Sequence, residues 1–211
     1  MKDKIINGLK WFYRSYIWLG LVLLGLDIFT KQLMMSLPVG ADGVIANWGF
    51  VHISFTLNEG AAFGMGTGNA VANRIIYLVV ATLISVGLGV FLVLKRKETK
   101  LFVRASLIMV MTGAIGNMID RIFYGPLQGE AGLFTGRVVD WIDFYWFWGY
   151  IFNIADCCIV IAAFMLIIYV IVGEVKEAIK RRKAEASDVK ILSKSEQERL
   201  EEDKKGSEES K

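Results

Sequence analysis

The stretch "YIFNIADCCIVIAAFMLIIYVIV", Tyr150–Val172, decides how the rest of the chain is read. A spanning helix needs about 20 mostly apolar residues, and this run supplies them. Asp156 nevertheless stands near its start. A carboxylate at the edge of hydrocarbon is expensive unless it is paired or hydrated, so an ionisable residue here is a candidate for function. Sixteen residues earlier, "RVVDWIDF" sets Asp140 in the same position.

Working outward from this segment, three more runs have spanning length. They cover about residues 16–35 ("IWLGLVLLGLDIFTKQLMM"), 72–94 ("RIIYLVVATLISVGLGVFLVL") and 101–119 ("LFVRASLIMVMTGAIGNMI"), and the opening run covers about 152–172. Of the 211 residues, 55% are hydrophobic and they fall in long blocks, as in a membrane protein. The expected fold is therefore all-α, with four transmembrane helices. Residues 1–173 form the membrane unit, with outer loops at about 36–71 and 121–151, and 174–211 form a charged cytoplasmic tail. That tail holds eleven basic and eleven acidic residues, so the whole formal charge of +3 belongs to the membrane unit. The excess is too small to point to nucleic acid.

Lys and Arg near the helix ends set the orientation. Lys2, Lys4, Lys10 and Arg14 precede the first span, Lys95, Arg96, Lys97 and Lys100 join the second to the third, and Lys176, Lys180, Arg181, Arg182 and Lys183 follow the fourth. The loop 36–71 has no Lys or Arg, and 121–151 has only Arg121 and Arg137. Both termini are thus expected in the cytoplasm. The first apolar run is long and lacks an A-x-A-like end, which predicts an uncleaved anchor rather than a signal peptide. In the first outer loop, "FVHISFTL" reads as one or two short strands between Gly-rich segments. The tail from about Glu185 reads as a solvated helix fraying near "KKGSEESK".

With about 1.5 Å of rise per helical residue, this topology brings scattered polar residues to one depth. Asp27 and Lys31 lie in the outer half of the first span, four apart and able to pair. Asn117, Asp120 and Arg121 reach the outer boundary of the third, where Asp120 and Arg121 read as a neutralised network. Asn153 and Asp156 open the fourth span, and Asp140 and Asp143 belong to the loop before it. Asp143 reads as a hydrated loop residue, and His52 as a packing or surface residue in a strand-like segment.

Asp140 and Asp156 stand apart from the others: no basic residue lies close to Asp156 in sequence, and the one near Asp140 is Arg137, three residues before it in the loop. Two carboxylates in contact cannot both ionise comfortably. One keeps a proton while the other acts as a base, and together they can activate a water. The same pair could equally serve a proton or ion pathway in a small proton-coupled transporter or channel subunit, and a structural assembly factor is a third reading. Spacing alone does not choose among these. Zinc-protease chemistry lacks an HExxH, and a single His leaves little for a Ser or Cys nucleophile. Adjacent Cys157 and Cys158 read as small buried apolar side chains. Neither a metal nor a cofactor is expected.

Five motifs follow one another in register with this topology: "DIFTKQL", "LNEGAAFG", "GNMIDR", "VVDWIDF" and "FNIAD". Together they resemble the lipoprotein signal peptidase (signal peptidase II) family of bacterial membrane aspartic proteases, over about residues 16–172. The resemblance implies an enzyme of the bacterial inner membrane with its active site at the outer face. Its substrate would be a lipid-modified prolipoprotein, cut just before the diacylglyceryl-cysteine, and its other partners membrane lipids. It implies a catalytic dyad of Asp140 and Asp156, with supporting or substrate-binding roles for Asp27, Lys31, Asn58, Gly60, Asn117, Asp120, Arg121, Asn153 and Ala155. It also implies that the first outer loop forms a small β-cradle and that the next loop packs over the site. Two departures stand out: an apparent insertion between Gly125 and Gly136, and Trp141 where the family usually has Phe.

Overall fold

Helix α1, Lys2–Ser15, and helix α2, Ile17–Ser36, are separated by one residue, Tyr16, whose left-handed backbone (φ 59°) ends the first and restarts the second. In this computed structural model residues 2–40, 42–60, 69–146 and 149–208 are described, with the backbone alone for 2, 3, 70 and 187–208. After α2 come strands β1, Val44–Asn47, and β2, His52–Asn58, then helices α3, Ala70–Leu94, and α4, Leu101–Phe123. A 3-10 turn at Pro126–Gln128 leads to strands β3, Val138–Asp143, and β4, Ile151–Phe152, and then to helix α5, Ile154–Glu208. The chain divides into two compact units, Met1–Leu166 and Ile167–Lys211.

Four helices are long and apolar enough to cross a membrane: α2, residues Val71–Leu94 of α3, α4, and residues Ile154–Ala186 of α5. The first three match the expected spans to within a few residues, while the fourth runs on to Ala186, well past the expected end near 172. The fourth differs at its start, because Phe152 belongs to β4 and Asn153 precedes the first helical residue. The helical backbone of α5 also continues through Lys204–Glu208, which were expected to fray. The Glu, Lys, Arg and Ala of that tail are strong helix formers.

Small residues let the spans approach closely, as is usual between helices in lipid. Gly20 of α2 lies where an added Cβ would meet Ile108 and Thr112 of α4. A Cβ at Gly113 would run into the Ala155 carbonyl and the Ile159 side chain. The outward face of α3, with Val79, Leu83, Val86 and Val93 exposed, is the surface such a span turns to lipid.

The sheet is antiparallel in the order β1-β2-β3-β4, so the α2–α3 and α4–α5 connections each supply two strands. This extends the expected cradle, since Asp140 and Asp143 sit in strand β3 rather than in a loop. The register pairs Thr56 with Asp140 and Asn58 with Val138. The sheet's inner side packs on the ends of α2 and α4, where Met34, Ile53, Tyr124 and Val139 form a buried apolar cluster. That cluster fixes the height of β3 above the spans, and with it the height of Asp140.

Candidate active site

Helix α5 starts with an exchange of hydrogen bonds. The Asn153 side-chain oxygen accepts from the Asp156 N–H at 2.9 Å, and an Asp156 carboxylate oxygen accepts from the Asn153 N–H at 3.2 Å. This is a capping box, which satisfies two helix-terminal donors that would otherwise be orphaned. The next donor, the Ala155 N–H, goes to Asp27 Oδ1 at 2.9 Å. The motif "FNIAD" therefore holds a carboxylate at the positive end of a helix, where negative charge is favoured.

Asn153 also ties the helix to the sheet. Its amide donates to Asp140 Oδ1 at 2.6 Å and to Asn117 Oδ1 at 3.0 Å. Asn117 in turn donates to Asp156 Oδ1 at 2.8 Å. On its other side Asp140 accepts from the Asn58 amide at 2.9 Å, while the Asn58 side-chain oxygen accepts from the Gly60 N–H at 2.8 Å. Asp140, Asn153 and Asp120 are almost wholly buried. Burial, then the nearby Asp156 charge, pushes the Asp140 carboxyl up to about 7, against the opposing pull of its Asn58 and Asn153 hydrogen bonds.

Below this pair lies a buried ion cluster. Lys31 Nζ is 2.8 Å from Asp27 Oδ2 and 2.8 Å from Asp120 Oδ2, and it donates to Asn117 Oδ1 at 3.2 Å. Asp120 Oδ2 also accepts the Val139 N–H at 3.2 Å, so the cluster grips the strand residue next to Asp140. The expected Asp27–Lys31 pair is present. The expected Asp120–Arg121 network is not: Asp120 pairs with Lys31, while Arg121 donates to the Asn117 carbonyl and stacks over the Tyr77 ring at 5.1 Å. Adjacent residues on a helix point in different directions, which is why neighbours in sequence find separate partners.

Asp140 and Asp156 line one cavity of about 250 Å³, together with Asn58, Gly60, Tyr77, Asn117, Arg121 and apolar residues of α3, α4 and α5. Gly60 has φ +111°, and a Cβ there would press into the Tyr77 ring, so glycine is required at this corner. Tyr77 is a contributor that sequence reasoning missed. Its one signal is a phenol within the otherwise aliphatic run "IIYLVV". Gly116 opens the motif "GNMIDR", and a Cβ there would meet Asp27 Oδ2 at 2.7 Å.

Other expected residues lie elsewhere. Asp143 accepts from Ser54 Oγ at 3.0 Å across the sheet, so it is a cross-strand partner and not a hydrated loop residue. His52 is buried and stacks on Tyr145 at 4.7 Å, a packing role. Cys158 is buried, Cys157 half-buried, and both are free thiols. In the segment of the apparent insertion, Gln128 bonds both the N–H and the carbonyl of Arg137, bracing the approach to β3. Ala61, Ala62 and Phe63 of "NEGAAFG" lie outside the described residues.

The family described as signal peptidase (SPase) II matches residues 19–172. The lipoprotein signal peptidase of Clostridioides difficile (strain 630) is 34% identical over 161 residues, 76% of this chain and 97% of that protein. The lipoprotein signal peptidase of Fusobacterium nucleatum subsp. nucleatum is 34% identical over 167 residues, 78% of this chain and 91% of its own. A solved structure described as a bacterial membrane enzyme, determined by the in meso method at 2.3 Å resolution, superposes with a TM-score of 0.56 at 27% identity, covering 74% of this chain and 89% of that one. With its spans, its sheet and its ordered motifs, this chain belongs to the signal peptidase II family.

Proposed function

We propose that this protein is an aspartic endopeptidase that removes the signal peptide from diacylglyceryl-modified prolipoproteins, cutting just before the lipidated cysteine. The observation that carries this reading is that Asp140 and Asp156 line the same cavity while both are held by Asn153. That is the arrangement two carboxylates need to share one proton and one water.

In the proposed cycle Asp140 enters with the proton and Asp156, at the positive end of α5, as the carboxylate. Asp156 takes a proton from water as the oxygen attacks the scissile carbonyl carbon. Asp140 gives its proton to the carbonyl oxygen, forming a neutral diol. The diol returns a hydroxyl proton to Asp140 as the C–N bond breaks, and Asp156 passes its proton to the leaving amine. Asn117, Asn153 and Asn58 orient the two carboxylates throughout, and Arg121, held on Tyr77, is the donor offered to substrate carbonyls.

The distribution of Lys and Arg supports cytoplasmic termini and a site on the outer side of the bacterial inner membrane. Residues 1–173 then form the peptidase and 174–211 a cytoplasmic tail. A substrate anchored by its acyl chains is confined to two dimensions and one depth, which supplies proximity with few contacts to the peptide. Incubating purified protein with a diacylglyceryl-modified precursor and its unlipidated twin tests the reading. Cleavage of the lipidated form alone is expected; cleavage of both, or of neither, contradicts it.

A further inference from the structure

We propose that the end of the molecule opposite the carboxylates binds an anionic phospholipid between α1, α3 and α4. A second cavity of about 410 Å³ lies there, away from the dyad. Its walls are mostly apolar, from Trp11, Leu92, Val93 and Met111, and two guanidinium groups, Arg96 and Arg104, stand among them. Hydrocarbon walls with a cationic edge match an acyl chain ending in a phosphate.

Among the described side chains of α1 and the α3–α4 turn, the basic charge has no acidic counterpart of similar size. Lys4, Lys10, Arg14, Lys95, Arg96, Lys97, Lys100 and Arg104 gather on α1 and around the α3–α4 turn, and Glu98, already paired with Lys95 at 2.9 Å, is the one acidic residue in that turn. Among the described residues Arg104 is held by neutral carbonyls only: it donates to Arg14 O at 2.9 Å, to Thr99 O at 3.3 Å and to Arg96 O. Its Nε is buried and has no partner among the described residues. The positive charge is therefore fixed in place by its own carbonyl contacts, yet not neutralised.

Helix α1 fits the same lipid surface. Ile5, Ile6, Leu9, Phe12 and Tyr13 fall on one stripe at helical spacing, and Leu9 (64%) and Tyr13 (71%) are turned out from the protein rather than packed on it. Lys4, Lys10 and Arg14 occupy the opposite arc. An apolar stripe beside a basic face is the pattern of a helix lying in the headgroup region. The break at Tyr16, with the Tyr13 and Trp18 rings stacked at 6.0 Å, sets aromatic side chains where α1 meets the spanning α2. The family match begins at residue 19, so α1 lies ahead of it.

The test is native mass spectrometry of the full chain, delipidated in detergent and titrated with phosphatidylglycerol or with phosphatidylcholine of identical acyl chains. Wild-type protein should retain phosphatidylglycerol preferentially. Arg96→Gln should lower that preference about fivefold, the effect of one cationic side chain near an anionic headgroup. Gly89→Leu should reduce binding of both lipids, because Gly89 lines the cavity and a Cβ there meets only Met111 at ordinary contact distance. Equal retention of the two lipids by wild-type protein, or a preference unchanged in Arg96→Gln, would overturn the proposal. Since binding is read directly, the outcome is independent of whether the peptidase reading holds.

Discussion

Asn153 and Asp156 cap each other at the start of α5, each accepting the other's backbone N–H. The same Asn153 amide holds Asp140 at 2.6 Å, so one residue sets the relation between helix and sheet that the proposed reaction requires.

Asn153→Ser separates these two duties. Serine caps helices about as well as asparagine but has no amide to donate to Asp140 or Asn117. The variant should stay folded, losing about 1–3 kcal/mol for the unsatisfied partners. Turnover should drop about 10²-fold from misplacement of the carboxylates. Thermal unfolding in detergent beside precursor cleavage checks both. Near-normal turnover would mean that Asn153 acts only as a cap.

The raised Asp140 carboxyl predicts a pH dependence with a definite sign. Turnover should fall as pH rises past about 7, because the proton it donates is then lost. Stability follows the same direction. Asp140 binds its proton more tightly folded than unfolded, so its contribution is full below the ordinary carboxylate range and is lost as pH rises through about 7. Asp140→Asn should remove that slope, which denaturant unfolding at several pH values measures. An identical slope in the variant would assign the effect to another group.

Lys31 neutralises two buried carboxylates, Asp27 and Asp120. Lys31→Met should cost about 3–5 kcal/mol, since it leaves charge buried without a partner. Adding Asp27→Asn and Asp120→Asn should recover much of that loss. Unfolding of the single and triple variants measures both, and equal instability would show that packing around Lys31, rather than charge, dominates.

The spans were legible because continuous apolar runs have no soluble reading, and the Asp27–Lys31 pair because the two residues share a helix face. The placement of Asp140 in β3 was not legible. It depends on pairing with β2, more than eighty residues away, and "VVDWID" has no clean polar alternation because its first three residues are all buried. Asp120 and Arg121 were misread as partners because adjacency in sequence is not adjacency on a helix. The Tyr16 break was hidden inside a sequence with neither glycine nor proline to mark it. Tyr77 gains its place through Arg121 and Gly60, contacts that only the folded chain supplies.

The central claim is that Asp140 and Asp156 together cut the peptide bond. It is tested most directly by the turnover of purified Asp140→Asn and Asp156→Asn on a diacylglyceryl-modified precursor, with circular dichroism confirming that each variant is folded. Each should lose about 10²–10⁴-fold or more in rate, as expected when a positioned acid or base is removed. A folded variant of either kind that cleaves at close to the wild-type rate would contradict the account.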